Sequence, residues 1–143
     1  MRFWDTSALL PLCVGESRTA ELRALAEADG AMAVWWLTRT ECVSAVSRRG
    51  REGGLNADGA RAVRETLRVL ARAWSEVQPS ERVRGGAERL LAVHDLRSAD
   101  ALQLAAALDW CDGRTDGAAI VCVDRRLRAA AVREGFLVLP QRN

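Results

Sequence analysis

Five short segments of strand length, with little polar alternation, are spread between helix-length segments, and they constrain the fold more than any other feature. They are Arg2–Trp4, Met32–Trp36, Trp74–Gln78, Ala119–Val123 and Phe136–Leu139. A strand with one wet face alternates apolar and polar residues, whereas a continuous run such as Met32–Trp36 is buried on both faces. Helical spacing marks Glu16–Ala28, a segment capped by Thr38 or Thr40 that ends near Arg49, and one capped by Asn56 that runs to Ala73. Three more follow: Pro79-Ser80-Glu81 opens a helix to Val93, Ser98 caps one to Trp110, and Arg125–Arg133 is the last. Asp29-Gly30, Gly50, Asp112-Gly113 and Gly135 supply the stops. Strands and helices in alternation predict an α/β fold of three layers, a central parallel sheet of about five short strands covered by helices on both faces. Residues 1–143 read as one domain without repeats. Sheets of this kind bind ligands beyond the carboxyl ends of their strands.

Composition narrows the chemistry. The 21 basic and 19 acidic residues leave a net charge of +2, too little to mark a nucleic-acid coat. Every basic residue is arginine, so any mechanism that needs lysine is excluded. No apolar run reaches the roughly 18 residues of a membrane span. Asp5 interrupts the N-terminus before a signal-peptide core can form, so the expected location is the cytoplasm. Cys13, Cys42, Cys111 and Cys122 have no CxxC spacing, and with His94 as the lone histidine there is no zinc pattern. Cys42 and Cys122 read as small buried hydrophobes. Trp35 and Trp36 point to opposite faces of a strand, and both are expected in the core.

Four acids stand where such a sheet gathers its ligands. Asp5 ends the first strand and Asp124 the fourth, while Glu41 and Asp100 fall near the starts of two helices. Strand ends and following helix starts share one edge of a parallel sheet, so these distant positions can converge, with the separate helix of Asp100 brought there only by tertiary packing. Taken singly, three have ordinary explanations. Asp100 complements a helix dipole, Asp124 is a cap, and Glu41 completes a capping box with Thr38. Asp5 is harder to dismiss, because aspartate is depleted in strands. Carboxylates about 4 Å apart repel by several kcal/mol at an intermediate dielectric. Relief comes from a raised pKa or a bound cation, and oxygen-only ligands suit Mg²⁺ or Mn²⁺. Such an ion acidifies water and neutralises a phosphate under in-line attack, which is phosphodiester hydrolysis without a protein nucleophile.

The stretches Trp4-Asp5-Thr6-Ser7-Ala8-Leu9-Leu10, Leu37-Thr38-Arg39-Thr40-Glu41, Leu96–Ala105 and Val123–Ala131, with the closing Gly135–Pro140, span the chain. Together they resemble a PIN domain, and within that family a VapC-type toxin of a bacterial toxin–antitoxin pair. The resemblance implies a Mg²⁺- or Mn²⁺-dependent endoribonuclease whose metal-binding and catalytic residues are Asp5, Glu41, Asp100 and Asp124. Thr6 or Ser7 would be the polar residue beside the first acid, supporting a ligand or touching substrate. It further implies a small antitoxin that blocks the acidic site, and a toxin homodimer. Gln103 stands where many relatives carry histidine, so no role of that histidine transfers here. Arg125 and Arg126, just after Asp124, are expected to contact the RNA backbone together with Arg128. Arg48, Arg49 and Arg51 read as a solvated helix face.

Rival chemistries on the same sheet class fail on single residues. A response-regulator receiver needs a lysine, and a haloacid-dehalogenase-type phosphatase needs an aspartate where Ser7 stands. Neither a P-loop nor a dinucleotide fingerprint is present. The surviving alternative is a catalytically inactive PIN-like module that binds RNA or protein.

Overall fold

Consecutive strand residues point to opposite faces of a sheet, and in this chain both faces of the central strands are covered, while Ser75 and Glu76 at the sheet edge stay exposed. The computed structural model describes residues 1–15 and 19–141. Its elements run β1 (Arg2–Trp4), α1 (Thr6–Val14), α2 (Thr19–Asp29), β2 (Met32–Trp35), α3 (Thr38–Arg51) and α4 (Ala57–Ala73). They continue with β3 (Ser75–Val77), α5 (Glu81–Val93), α6 (Ser98–Trp110), β4 (Ala119–Val121), α7 (Arg125–Arg133) and β5 (Leu137–Leu139). Phe3, Ala33, Trp35, Ile120 and Val138 pack on one side with Leu90 of α5, Leu104 of α6 and Leu127 of α7. Trp4, Val34 and Val121 pack on the other with Leu9 of α1, Leu22 of α2, Cys42 of α3 and Leu67 of α4. The expected three layers are present.

Strand order is β3-β2-β1-β4-β5, with every neighbouring pair parallel. From β1 the chain builds outward through β2 and β3, then returns to the other side of β1 for β4 and β5. The order therefore reverses between β1 and β4, whose register pairs Phe3 with Ile120 and Trp4 with Val121. A crevice opens at such a switch point, beyond the carboxyl ends of the two strands. Asp5 and Asp124 follow those ends.

Local signals behave unevenly. Asn56 and Ser80 cap α4 and α5, accepting from Gly59 N at 2.7 Å and Val83 N at 3.1 Å. Gly135 closes α7 with φ +97°, and a Cβ there would stand 2.5 Å from Thr115 Oγ1. Two other caps differ from expectation. Leu37 precedes α3 with no side-chain cap, because Thr38 is already helical and fully buried, its hydroxyl engaged elsewhere. No Thr38–Glu41 capping box forms. Arg97 precedes α6, and Ser98 lies inside it.

Helix α1 was not anticipated, since its run has no clear period and contains Pro11, which removes one helical N–H. Asp5 nucleates it by accepting from Ser7 N at 3.0 Å, and Gly15 ends it in the left-handed region at φ 70°. The expected helix start at Glu16 lies outside the described residues. Trp36 is a correction. It falls past the end of β2 in a turn, where its N–H donates to Val77 O at 3.0 Å and its side chain is 47% exposed. Only Trp35 joins the core. The four cysteines are free, with Cys42 and Cys122 buried as expected. Among the described residues no helix is long and apolar enough to cross a membrane.

Candidate active site

Four elements deliver the four acids to the β1–β4 crevice. Asp5 is the N-cap of α1 and is nearly fully buried; Glu41 lies in the first turn of α3 and Asp100 in that of α6; Asp124 is the N-cap of α7. Asp124 Oδ1 accepts from Leu127 N at 2.9 Å, so its ordinary explanation as a cap is also realised. A capping carboxylate keeps lone pairs for further work.

Two hydrogen-bond clusters hold the acids. Ser7 Oγ donates to Asp5 Oδ2 and accepts from Val123 N at 3.0 Å and Asp124 N at 3.2 Å. One hydroxyl thus ties the end of β1 to the loop after β4. In the second cluster Thr6 Oγ1 donates to Glu41 Oε2 at 3.0 Å. Gln103 Nε2 donates to Thr6 Oγ1 at 3.0 Å and to Thr38 Oγ1 at 2.9 Å, with Glu41 Oε1 at 3.4 Å. Thr6 has a single proton, and the amide behind it directs that proton to Glu41. Gln103 is buried and its Oε1 has no partner. Turning the amide over would set that oxygen against the Glu41 carboxylate, so the observed orientation is the electrostatically sound one. In the sequence Gln103 stands out only as a departure from the family pattern, and its glutamine identity one turn after Asp100 is the available signal.

Charge is crowded here. Burial raises the Asp5 pKa first, the Ser7 hydrogen bonds oppose that, and the field of Asp100 adds to it. Burial also raises Glu41, against the Thr6 hydrogen bond and with the fields of Asp5 and Asp100. Asp100 is raised by burial and by Asp124, with Arg97 and Arg126 pulling the other way. Asp5, Glu41 and Asp100 thus lie in one another's fields, and Asp124 adds its field to that at Asp100.

The arginines divide. Arg125 and Arg126 are exposed at the start of α7, and Arg126 Nε stands 3.9 Å from Asp95 Oδ2. Arg128 is a correction to the expected RNA contact. Its guanidinium donates to Cys122 O at 2.6 Å and Pro140 O at 2.8 Å, tying the ends of β4 and β5 together. Beside Glu41 a groove of about 570 Å³ runs between α3 and α6, lined by Thr6, Leu37, Arg48, Ala99 and Leu102.

A PIN domain model matches residues 2–133 of this sequence. The chain belongs to the PIN domain family. Its fold is also similar to that of a solved toxin–antitoxin complex from Klebsiella pneumoniae, with a TM-score of 0.66 and 17% identity over 90% of this chain and 91% of that one. At that identity the likeness speaks for the fold. No curated protein sequence matches. PIN domains are in general nucleases, and this PIN domain carries its acids at the edge where α/β sheets take ligands.

The donor set is all oxygen, which suits a hard divalent ion. Among the described residues no three acidic, cysteine or histidine side chains are drawn together tightly enough to ligate one ion. The carboxylates act on one another at Coulombic range rather than coordination range.

The raised pKa values have a sign. At Asp5, Glu41 and Asp100 protons bind more tightly in the folded PIN domain than in the unfolded chain. That stabilisation is complete below the ordinary values of 3.8 for Asp and 4.5 for Glu, and is lost as pH rises through the folded values. Thermal melts of the metal-free protein should therefore show the melting temperature falling as pH rises above those ordinary values, over the window in which the raised groups ionise. A profile that rises over this window would mean that the acids do not crowd.

Proposed function

We propose that this chain is a Mg²⁺- or Mn²⁺-dependent endoribonuclease, one PIN-like domain over residues 1–143 that serves as the toxin of a toxin–antitoxin pair. The observation that carries this reading is the convergence of Asp5, Glu41, Asp100 and Asp124 on the β1–β4 switch point, with three of their pKa values raised. Those four carboxylates would hold the ion. When bound, it supplies positive charge to the phosphate and acidifies water, so no lysine or histidine is needed.

The chain's own side chains do the rest. Ser7 holds the Asp5 carboxylate against the β4 loop, and Thr6 holds that of Glu41, so neither must be ordered at the moment of reaction. Arg126 lessens the repulsion at Asp100 and, with Arg125, offers guanidinium groups to the backbone of an approaching RNA. The α3–α6 groove gives that strand room beside Glu41. The similarity to the Klebsiella toxin–antitoxin complex supports an antitoxin as partner; in this reading the antitoxin is small and blocks the acidic site. A homodimer and a cytoplasmic setting complete the reading.

The test is cleavage of a single-stranded RNA by the purified chain. Cleavage should require Mn²⁺ or Mg²⁺, stop in EDTA, and vanish in Asp100→Asn, while Mn²⁺ should raise the melting temperature. Cleavage that persists in EDTA or in the variant overturns the proposal. RNA binding without cleavage in any divalent cation would favour the inactive module instead.

A further inference from the structure

Three arginines line one small cavity on the flank of α3 away from the acidic site. Arg39 enters it from the first turn of α3, and Arg68 and Arg72 from α4, with Ala71 between them, around about 190 Å³. No carboxylate lines it. Arg68 has Glu65 at 3.1 Å, but both side chains are well exposed, and such pairs contribute little. Arg39 and Arg72 have no acidic partner among the described residues, and neither does Arg64, two turns back from Arg72. Like charges gathered without a counter-ion repel, more so at low salt. Guanidinium forks match phosphate oxygens bidentately, and a concave space this small fits a compact anion better than a flat acidic protein surface.

We infer that this cavity binds a phosphodiester group of the RNA strand, on the opposite side of α3 from the scissile bond. The inference rests on the nuclease reading and deepens it. Arg39 and Glu41 are two residues apart, so their side chains leave α3 about 200° apart around its axis. A helix with side chains is about 10–12 Å across, so one strand reaches both by crossing the turn at Trp36 and Leu37. Arg64, Arg68 and Arg72 recur every four residues, about 6 Å of rise at each step, and extend the positive track along α4. Phosphates are alike in every RNA, so the cavity adds affinity and register without sequence preference.

The test compares two double variants of equal charge change. Arg39→Gln with Arg72→Gln empties the cavity of free cations; Arg23→Gln with Arg133→Gln removes two exposed arginines elsewhere. Binding of a fluorescent single-stranded RNA is measured in EDTA, where nothing is cut, so the result stands apart from whether the wild type cleaves. The cavity variant should bind about tenfold more weakly, with a salt slope shallower by roughly 0.7 for the lost contact. In cleavage assays its loss should appear in KM more than in kcat. Arg39→Lys with Arg72→Lys, which keeps charge but not the fork, should fall between. Equal weakening in both glutamine doubles, or none in the cavity variant, overturns the inference. So does unchanged RNA binding with loss of a co-expressed protein partner, which would make the cavity a protein-docking surface.

Discussion

Asp5→Asn should lower the rate of RNA cleavage by roughly a thousandfold while raising the melting temperature of the metal-free protein at neutral pH. The first half follows from removing a charge that the cation needs, an effect of several kcal/mol in the transition state. The second follows from burial. Asp5 is 4% exposed, and its raised pKa records how poorly the crevice tolerates the ionised form. Asparagine keeps the capping oxygen that receives Ser7 N, and it is as good an N-cap as aspartate, so α1 survives. Rate and stability should thus move in opposite directions. A variant that loses both would show Asp5 to be a structural residue; one that keeps its activity would remove the acid from the reaction.

Gln103→Met should cost about ten- to a hundredfold in cleavage rate, the usual penalty for losing a group that orients metal ligands, with little change in melting temperature. The amide makes two good hydrogen bonds, each contributing about 1 kcal/mol, but carries a buried oxygen with no partner, a deficit of about 1–3 kcal/mol. Methionine fills the space and ends both the gain and the deficit. What it cannot do is direct the Thr6 proton toward Glu41. Gln103→His, which retains a ring N–H donor, should recover part of the rate. Initial rates and thermal melts on the two variants check this, and full activity in Gln103→Met would reduce Gln103 to a packing residue.

The sheet was legible because its physics is local. Strands covered on both faces leave continuous apolar runs, and Asn56, Ser80 and Gly135 mark helix ends by chemistry that acts within a few residues. Helix α1 was not legible, because its apolar face merges with a buried start and Pro11 argues against it. Trp36 misled because strand parity says which way a residue points but not where the strand stops. The four acids were legible as strand-end and helix-start positions. The Gln103 cluster was not, since a bond between residues 97 apart in sequence has no local signature. Nor was the Arg39 cavity, which exists only because α3 and α4 pack side by side.

The two cores meet at the acidic edge, and each contributes half of it. Asp5 and Glu41 ride on helices of the Trp4 core, Asp100 and Asp124 on helices of the Phe3 core. The Ser7 and Gln103 contacts work as clasps between these halves, so the spacing of the charges is inherited from how helices are seated on the two faces of one sheet. Neither face can be repacked alone without pulling one pair of carboxylates out of step with the other.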